Sequence, residues 1–150
     1  MENEKGLVKS PFTINKNSDG VTFLSADLAG EAAWNQILKY SVPLGTAVEV
    51  MPINYHYGYY YATDTTTQIT AGLTRLLKKN AAGTETRELW KGPNKIFKDI
   101  GDIRQRPNIR VPVVLSASQV LAVEVYNMGT TLDSVTSDYY VECMQYYEEI

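Results

Sequence analysis

The chain holds one cysteine, Cys143, and one histidine, His56. A single cysteine forbids any disulfide within the chain, which excludes a small secreted fold held together by bridges. A single histidine rules out a His-rich metal site. A Ser-His-Asp triad would have to use His56, and no Gly-x-Ser-x-Gly elbow supplies its serine. Neither Gly-x-Gly-x-x-Gly nor the Walker pattern occurs, so no glycine loop is set to cradle phosphates. Positive clusters are scarce too. The densest is Lys78-Lys79, and 14 Lys and Arg against 17 Asp and Glu leave a net charge of -3, a poor footprint for nucleic acid. No apolar run approaches the length of a membrane-spanning helix, and Met1 to Lys5 leads into no apolar signal region. With no Asn-x-Ser/Thr acceptor either, the expectation is a protein made and kept in a cytosol, or assembled there into something larger. Neither a cofactor nor a membrane or nucleic-acid partner is expected.

What remains for catalysis is carboxylates. Asp99 with Asp102, and Glu148 with Glu149, are the pairs open to acid–base work or calcium binding. The first pair flanks Gly101 in a loop, where Asp is a turn former, and the second sits in a solvated tail. Cys143 lies in an apolar strand pattern that favours a buried, inert thiol. An enzyme is not expected.

Against these absences stand β-branched runs. Ile109 to Leu115 places Ile109, Val111, Val113 and Leu115 on one side of a period-2 pattern, and Val120 to Met128 does the same for Leu121, Val123 and Val125. The small polar break at Ser116-Ala117-Ser118-Gln119 predicts an antiparallel hairpin joining two core strands. Residues 1–20 carry only widely spaced large apolar side chains (Leu7, Val8, Phe12, Ile14) and read as an N-terminal arm ending in the turn Asn17-Ser18-Asp19-Gly20. Residues 21–150 then form one domain. Val21 to Leu24 predicts a short strand, Glu31 to Asn35 a helical turn, and Leu38 to Leu44 and Ala47 to Met51 further strands. In Asp138 to Tyr147 a last strand is expected, with Tyr139, Val141 and Cys143 inward.

Residues 68–91 support two readings. Ile69, Leu73, Leu76 and Leu77 match an amphipathic helix stripe. Thr70, Gly72 and Thr74 oppose it, and Asn80-Ala81-Ala82-Gly83 suits a hairpin loop. The hairpin is taken, with Lys79 opposite Thr84, Lys78 opposite Glu85, Arg75 opposite Glu88 and Leu73 opposite Trp90. The total is about eight or nine short strands with polar turns, an antiparallel all-β sandwich or barrel.

Five of the eleven tyrosines fall between Asn54 and Tyr61. Alternate rings could cap the core from a sheet face. Their number around Gly58 exceeds what one short strand can bury, so Tyr55, His56, Tyr57, Tyr59, Tyr60 and Tyr61 are expected to form a protein-contact surface. His56 is a hydrogen-bonding neighbour within it, less readily a pH switch.

A disulfide-free all-β chain of this size with a polar N-terminal arm resembles the small jelly-roll minor capsid and decoration proteins of tailed phages and related viruses. The resemblance covers residues 21–147 in layout and rests on no motif. It implies a jelly-roll sandwich that works in the virion without enzymatic activity, assembled in the host cytoplasm. Its partners would be copies of itself in a symmetric oligomer and a major capsid protein, the chain binding the outside of the capsid lattice and clamping neighbouring coat subunits. The alternative is a carbohydrate-binding sandwich module with Tyr57, Tyr59, Tyr61 or Trp90 as stacking platform, distinguished by whether the rings lie coplanar in a groove or under another subunit.

Overall fold

A computed structural model describes residues 7–51, 58–95, 112–126 and 128–148 of the chain. Among these residues are nine strands: β1 (Leu7–Ile14), β2 (Val21–Phe23), β3 (Trp34–Ser41), β4 (Thr46–Val50), β5 (Leu73–Lys79), β6 (Thr86–Pro93), β7 (Val113–Leu115), β8 (Val120–Tyr126) and β9 (Val141–Glu148). They form a four-stranded sheet in the order β1-β9-β4-β7 and a five-stranded sheet in the order β2-β3-β8-β5-β6, with every pairing antiparallel.

Leaving β2 aside, the first strand pairs with the last (β1 with β9), the next inward with the next (β3 with β8), then β4 with β7 and β5 with β6. Successive pairs lie in alternate sheets. A long two-stranded ribbon wrapped on itself gives this order, and it defines a jelly roll. The inner faces meet in one core built from Ile14, Leu38, Tyr40, Val48, Val50, Leu76, Leu121, Val123, Val125, Val141 and Cys143. Tyr139, Val141 and Cys143 point inward, as their alternation predicts. Val113, Leu115, Leu121, Val123 and Val125 are buried as well; Val111, like the carboxylate pair Asp99 and Asp102, lies outside the described residues.

Four expectations are corrected. The Ile109 to Met128 unit is not a hairpin, because β7 pairs with β4 in one sheet while β8 sits between β3 and β5 in the other. The chain changes sheets through Ser116–Gln119, with Ser118 at φ 70°. That turn is tied to the end of β3 by Ser118 N donating to Val42 O and Val42 N donating to Gln119 O, at 2.8 and 2.9 Å.

Residues 7–14 of the expected arm are the edge strand β1, in register with β9 from Leu7 opposite Glu148 to Ile14 opposite Val141. Phe12 and Ile14 supply the apolar side, Ile14 fully buried. Pro11 is tolerated because an edge strand leaves alternate N–H positions unpaired.

The 73–93 hairpin forms, but in another register. Lys79 faces Thr86, Lys78 faces Arg87 and Leu76 faces Trp90, with an irregularity between Leu76 and Leu77. Asn80 lengthens the loop: its backbone N donates to Glu85 O, and its Oδ1 accepts from Glu85 N, both at 3.1 Å. The strands therefore start pairing at Thr86 rather than Thr84. Finally, Trp34 and Asn35 belong to β3 and not to a helical turn. Trp34 pairs with Tyr126 in the sheet ladder, and that pairing outweighs the weak helix preference of two alanines.

Candidate assembly surface

The tyrosine segment belongs to the connection between β4 and β5, at the end of the sandwich where the β2–β3 and β8–β9 connections also lie. Tyr55, His56 and Tyr57 fall outside the described residues. Gly58 to Tyr61 is held as an extra strand-like layer against 132–138. Gly58 and Asp138 exchange backbone hydrogen bonds at 3.3 and 3.1 Å, Asp133 N donates to Tyr60 O at 2.8 Å, and Tyr60 N donates to Ser137 Oγ at 2.9 Å. Leu28 and Leu132 exchange a further pair, and at Gly30 a Cβ would stand 2.5 Å from Thr130 O, so the loops approach as closely as glycine permits.

The three described tyrosines divide. Tyr59 is 1% exposed and lies in the core. Its hydroxyl is 2.9 Å from Thr74 Oγ1, which also lies 2.5 Å from Asn94 Oδ1. Burial raises the Tyr59 hydroxyl well above its ordinary pKa, with Tyr139 and Asp138 adding to the effect, so it stays a protonated hydrogen-bonding group. The expected contact role is corrected at this position, since a ring sealed inside its own subunit offers no area to a partner. Tyr60 and Tyr61 are half-buried, Tyr61 packing on the core. Nor can Tyr59 serve a stacking platform, and Trp90, on β6, is itself partly buried against the core.

Beside this segment Lys16, in the β1–β2 turn, donates from Nζ to Val135 O and Ser137 O, and its backbone N donates to Asp138 Oδ1 at 3.1 Å. Asp138 also accepts from Tyr139 N at 2.7 Å. Burial pushes its carboxyl up despite those bonds. A polar hollow of about 310 Å³ lies here, lined by Lys16, Asn17, Val135, Thr136, Asp138 and Tyr140. Cys143 is buried, and burial followed by the Glu142 charge pushes its thiol far from ionisation, the opposite of what a nucleophile needs. Among the described residues no three His, Cys, Asp or Glu side chains come together to hold a metal ion.

A second surface was missed from sequence, the outer face of the five-stranded sheet. The Arg75 guanidinium lies 4.1 Å from the Trp34 ring centroid, and Trp34 and Tyr126 rings are 5.3 Å apart. Glu124, 8% exposed, accepts from Arg75 at 2.5 and 2.8 Å and from Lys79 at 3.2 Å. The available signal was Glu124 itself, an acid at an outward position of an otherwise apolar run.

The site thus has the build of a single jelly-roll domain with ordered loop layers at one end. No family model matches the chain, and no curated protein does. Solved structures do. VP17, a capsid protein of bacteriophage P23-77, superposes with TM-score 0.68 at 7% identity, covering 95% of this chain and 97% of that one. The VP16-VP17 complex of the two major capsid proteins of the same phage gives 0.68 at 8% identity, covering 94% and 99%. At such identities the likeness establishes the jelly-roll fold.

Proposed function

We propose that this chain is a non-enzymatic structural protein of a virus particle, resident in the capsid layer and assembled in the host cytoplasm. The observation that carries the reading is the near end-to-end coincidence with VP17, which leaves little of either chain outside the shared fold. Within that layer it acts as a minor or decoration subunit that stabilises the coat through protein–protein contacts, both with copies of itself and with another capsid protein. Tyr60 and Tyr61, with Tyr55, His56 and Tyr57, contribute the aromatic part of those contacts. The pairing of two capsid proteins in the VP16-VP17 complex supports a partner of that kind. Quantitative mass spectrometry of gradient-purified particles tests the proposal. Recovery at fixed stoichiometry is expected, below that of the coat protein if the role is minor. Absence from particles overturns it.

A further inference from the structure

Charge is segregated between the two sheets. The strands of the five-stranded sheet carry six bases, Lys39, Arg75, Lys78, Lys79, Arg87 and Lys91, and two acids, Glu88 and Glu124. That is a surplus of four positive charges, whereas the strands of the four-stranded sheet carry one base, Lys9, and three acids, Glu49, Glu142 and Glu148. The cross-strand register places Lys39, Arg75, Lys79 and Lys91 on the outer face together with Glu88 and Glu124, a surplus of two positive charges there. Lys39 stands beside Ala122, Arg75 lies between Glu124 and Lys91, and Lys79 lies between Val120 and Thr86. Leu77, Val120 and Ala122 form a separate small cluster there, each at most 5% exposed. On this face Arg75 and Lys79 are fixed by Glu124.

The outer face of the four-stranded sheet is the converse. Glu49 and Glu142 flank Met144 on β4 and β9, against one base, Lys9, which lies over the Tyr146 ring. Tyr146 OH donates to Glu49 at 2.7 Å and fixes that carboxylate. Pro11 is exposed and Val114 is 48% exposed on the same side, apolar area beside the acids.

We infer that these faces bind each other between copies: the basic outer face of one subunit docks on the Glu49–Met144–Glu142 face of the next. Such a contact is heterologous, so it generates rings or rows rather than a closed twofold dimer. Charge complementarity selects the occupant, because the chain itself carries the acidic counterpart. Nucleic acid is a poorer fit, since Arg75 caps Trp34 against base stacking and Glu88 and Glu124 interrupt any phosphate track.

The test uses the full chain in sedimentation velocity, with folding of each variant confirmed by circular dichroism. Lys39→Glu with Lys91→Glu makes both faces acidic, and Glu49→Lys with Glu142→Lys makes both basic. Each variant alone is expected to lose about tenfold or more in self-association, an equimolar mixture of the two to recover it, and the wild type to weaken as salt rises. The contact is overturned if the wild type stays monomeric at low salt, if either variant associates like the wild type, or if the mixture stays monomeric. A basic face that retains single-stranded DNA while self-association is unchanged by these variants also overturns it. None of these readouts depends on particles, so this contact and the capsid role can fail separately.

Discussion

The hydroxyls of Tyr59 and Thr74 lie 2.9 Å apart inside the core, neither residue more than 1% exposed. Thr74 also reaches Asn94 Oδ1, and Asn94 Nδ2 donates to Ala71 O at 3.0 Å. This chain of polar groups fastens the β4–β5 connection to the start of β5 and the end of β6. Its members have unequal leverage. Tyr59→Phe removes one buried hydrogen bond and should cost about 1 kcal/mol, whereas Thr74→Val strips Asn94 and Tyr59 of a shared partner and should cost about 2 to 3 kcal/mol. Urea unfolding of both variants measures the order, and an equal or reversed ranking would contradict the network.

The edge strand β1 gives a second expectation. Pro11 has no N–H, so its position belongs to the set facing away from β9. Amides of Ser10, Phe12 and Ile14 should then exchange slowly and those of Lys9 and Thr13 quickly. Hydrogen exchange read residue by residue by NMR is the check. Uniformly fast exchange over 8–14 would mean that the segment is an arm after all.

How much of this was legible in the sequence depended on the distance between partners. β9 was readable because its inward residues Val141 and Cys143, with Tyr139 just before the strand, follow from alternation alone. The β5–β6 hairpin was readable because it is a local pairing, and its register was lost because Asn80 uses its side chain to extend the loop and a second shift falls between Leu76 and Leu77. The pairing of β7 and β8 was not readable. Their runs are adjacent and equally apolar, yet in a wrapped ribbon each finds its partner far along the chain, β7 at Val48 to Val50 and β8 at both β3 and β5. β1 was missed because Pro11 and the spacing of Phe12 and Ile14 mimic an unstructured arm. Of the aromatic cluster, composition announced an excess of rings but not that Tyr59 would be taken by the core.

Asp138 sets a pH dependence. Burial holds its folded pKa above the ordinary 3.8. Between those two values the folded state keeps a proton that the unfolded chain has released, so stability falls as pH rises through this window. Asp138→Asn keeps an acceptor for Lys16 N and Tyr139 N without the charge. Thermal melts should show the variant gaining on the wild type as pH rises from the ordinary carboxylate pKa through the raised folded one, and the two converging below the ordinary value. A difference independent of pH would show that the carboxyl is not desolvated.

The tyrosine segment allows the core and contact roles to be separated by neighbouring substitutions. Tyr59 is sealed in the subunit, so Tyr59→Ser deletes a large buried ring and abandons a hydroxyl network; a loss of about 3 to 5 kcal/mol is expected, enough to unfold a marginal domain. Tyr57 belongs to the proposed contact surface, and Tyr57→Ser should leave the melting temperature nearly unchanged while lowering occupancy in the particle. Tyr60→Ser, at a half-buried ring whose backbone already bonds Ser137 and Asp133, should fall between them, with a small stability cost and a clear assembly defect. An interface aromatic near the centre of a contact commonly carries about 2 kcal/mol or more, which is a difference of well over tenfold in binding. Melting curves and particle occupancy measured on the same three variants decide the matter. If Tyr57→Ser and Tyr60→Ser assemble at wild-type occupancy, the rings around Gly58 serve only their own subunit, and the contact surface must be sought on the sheet faces instead.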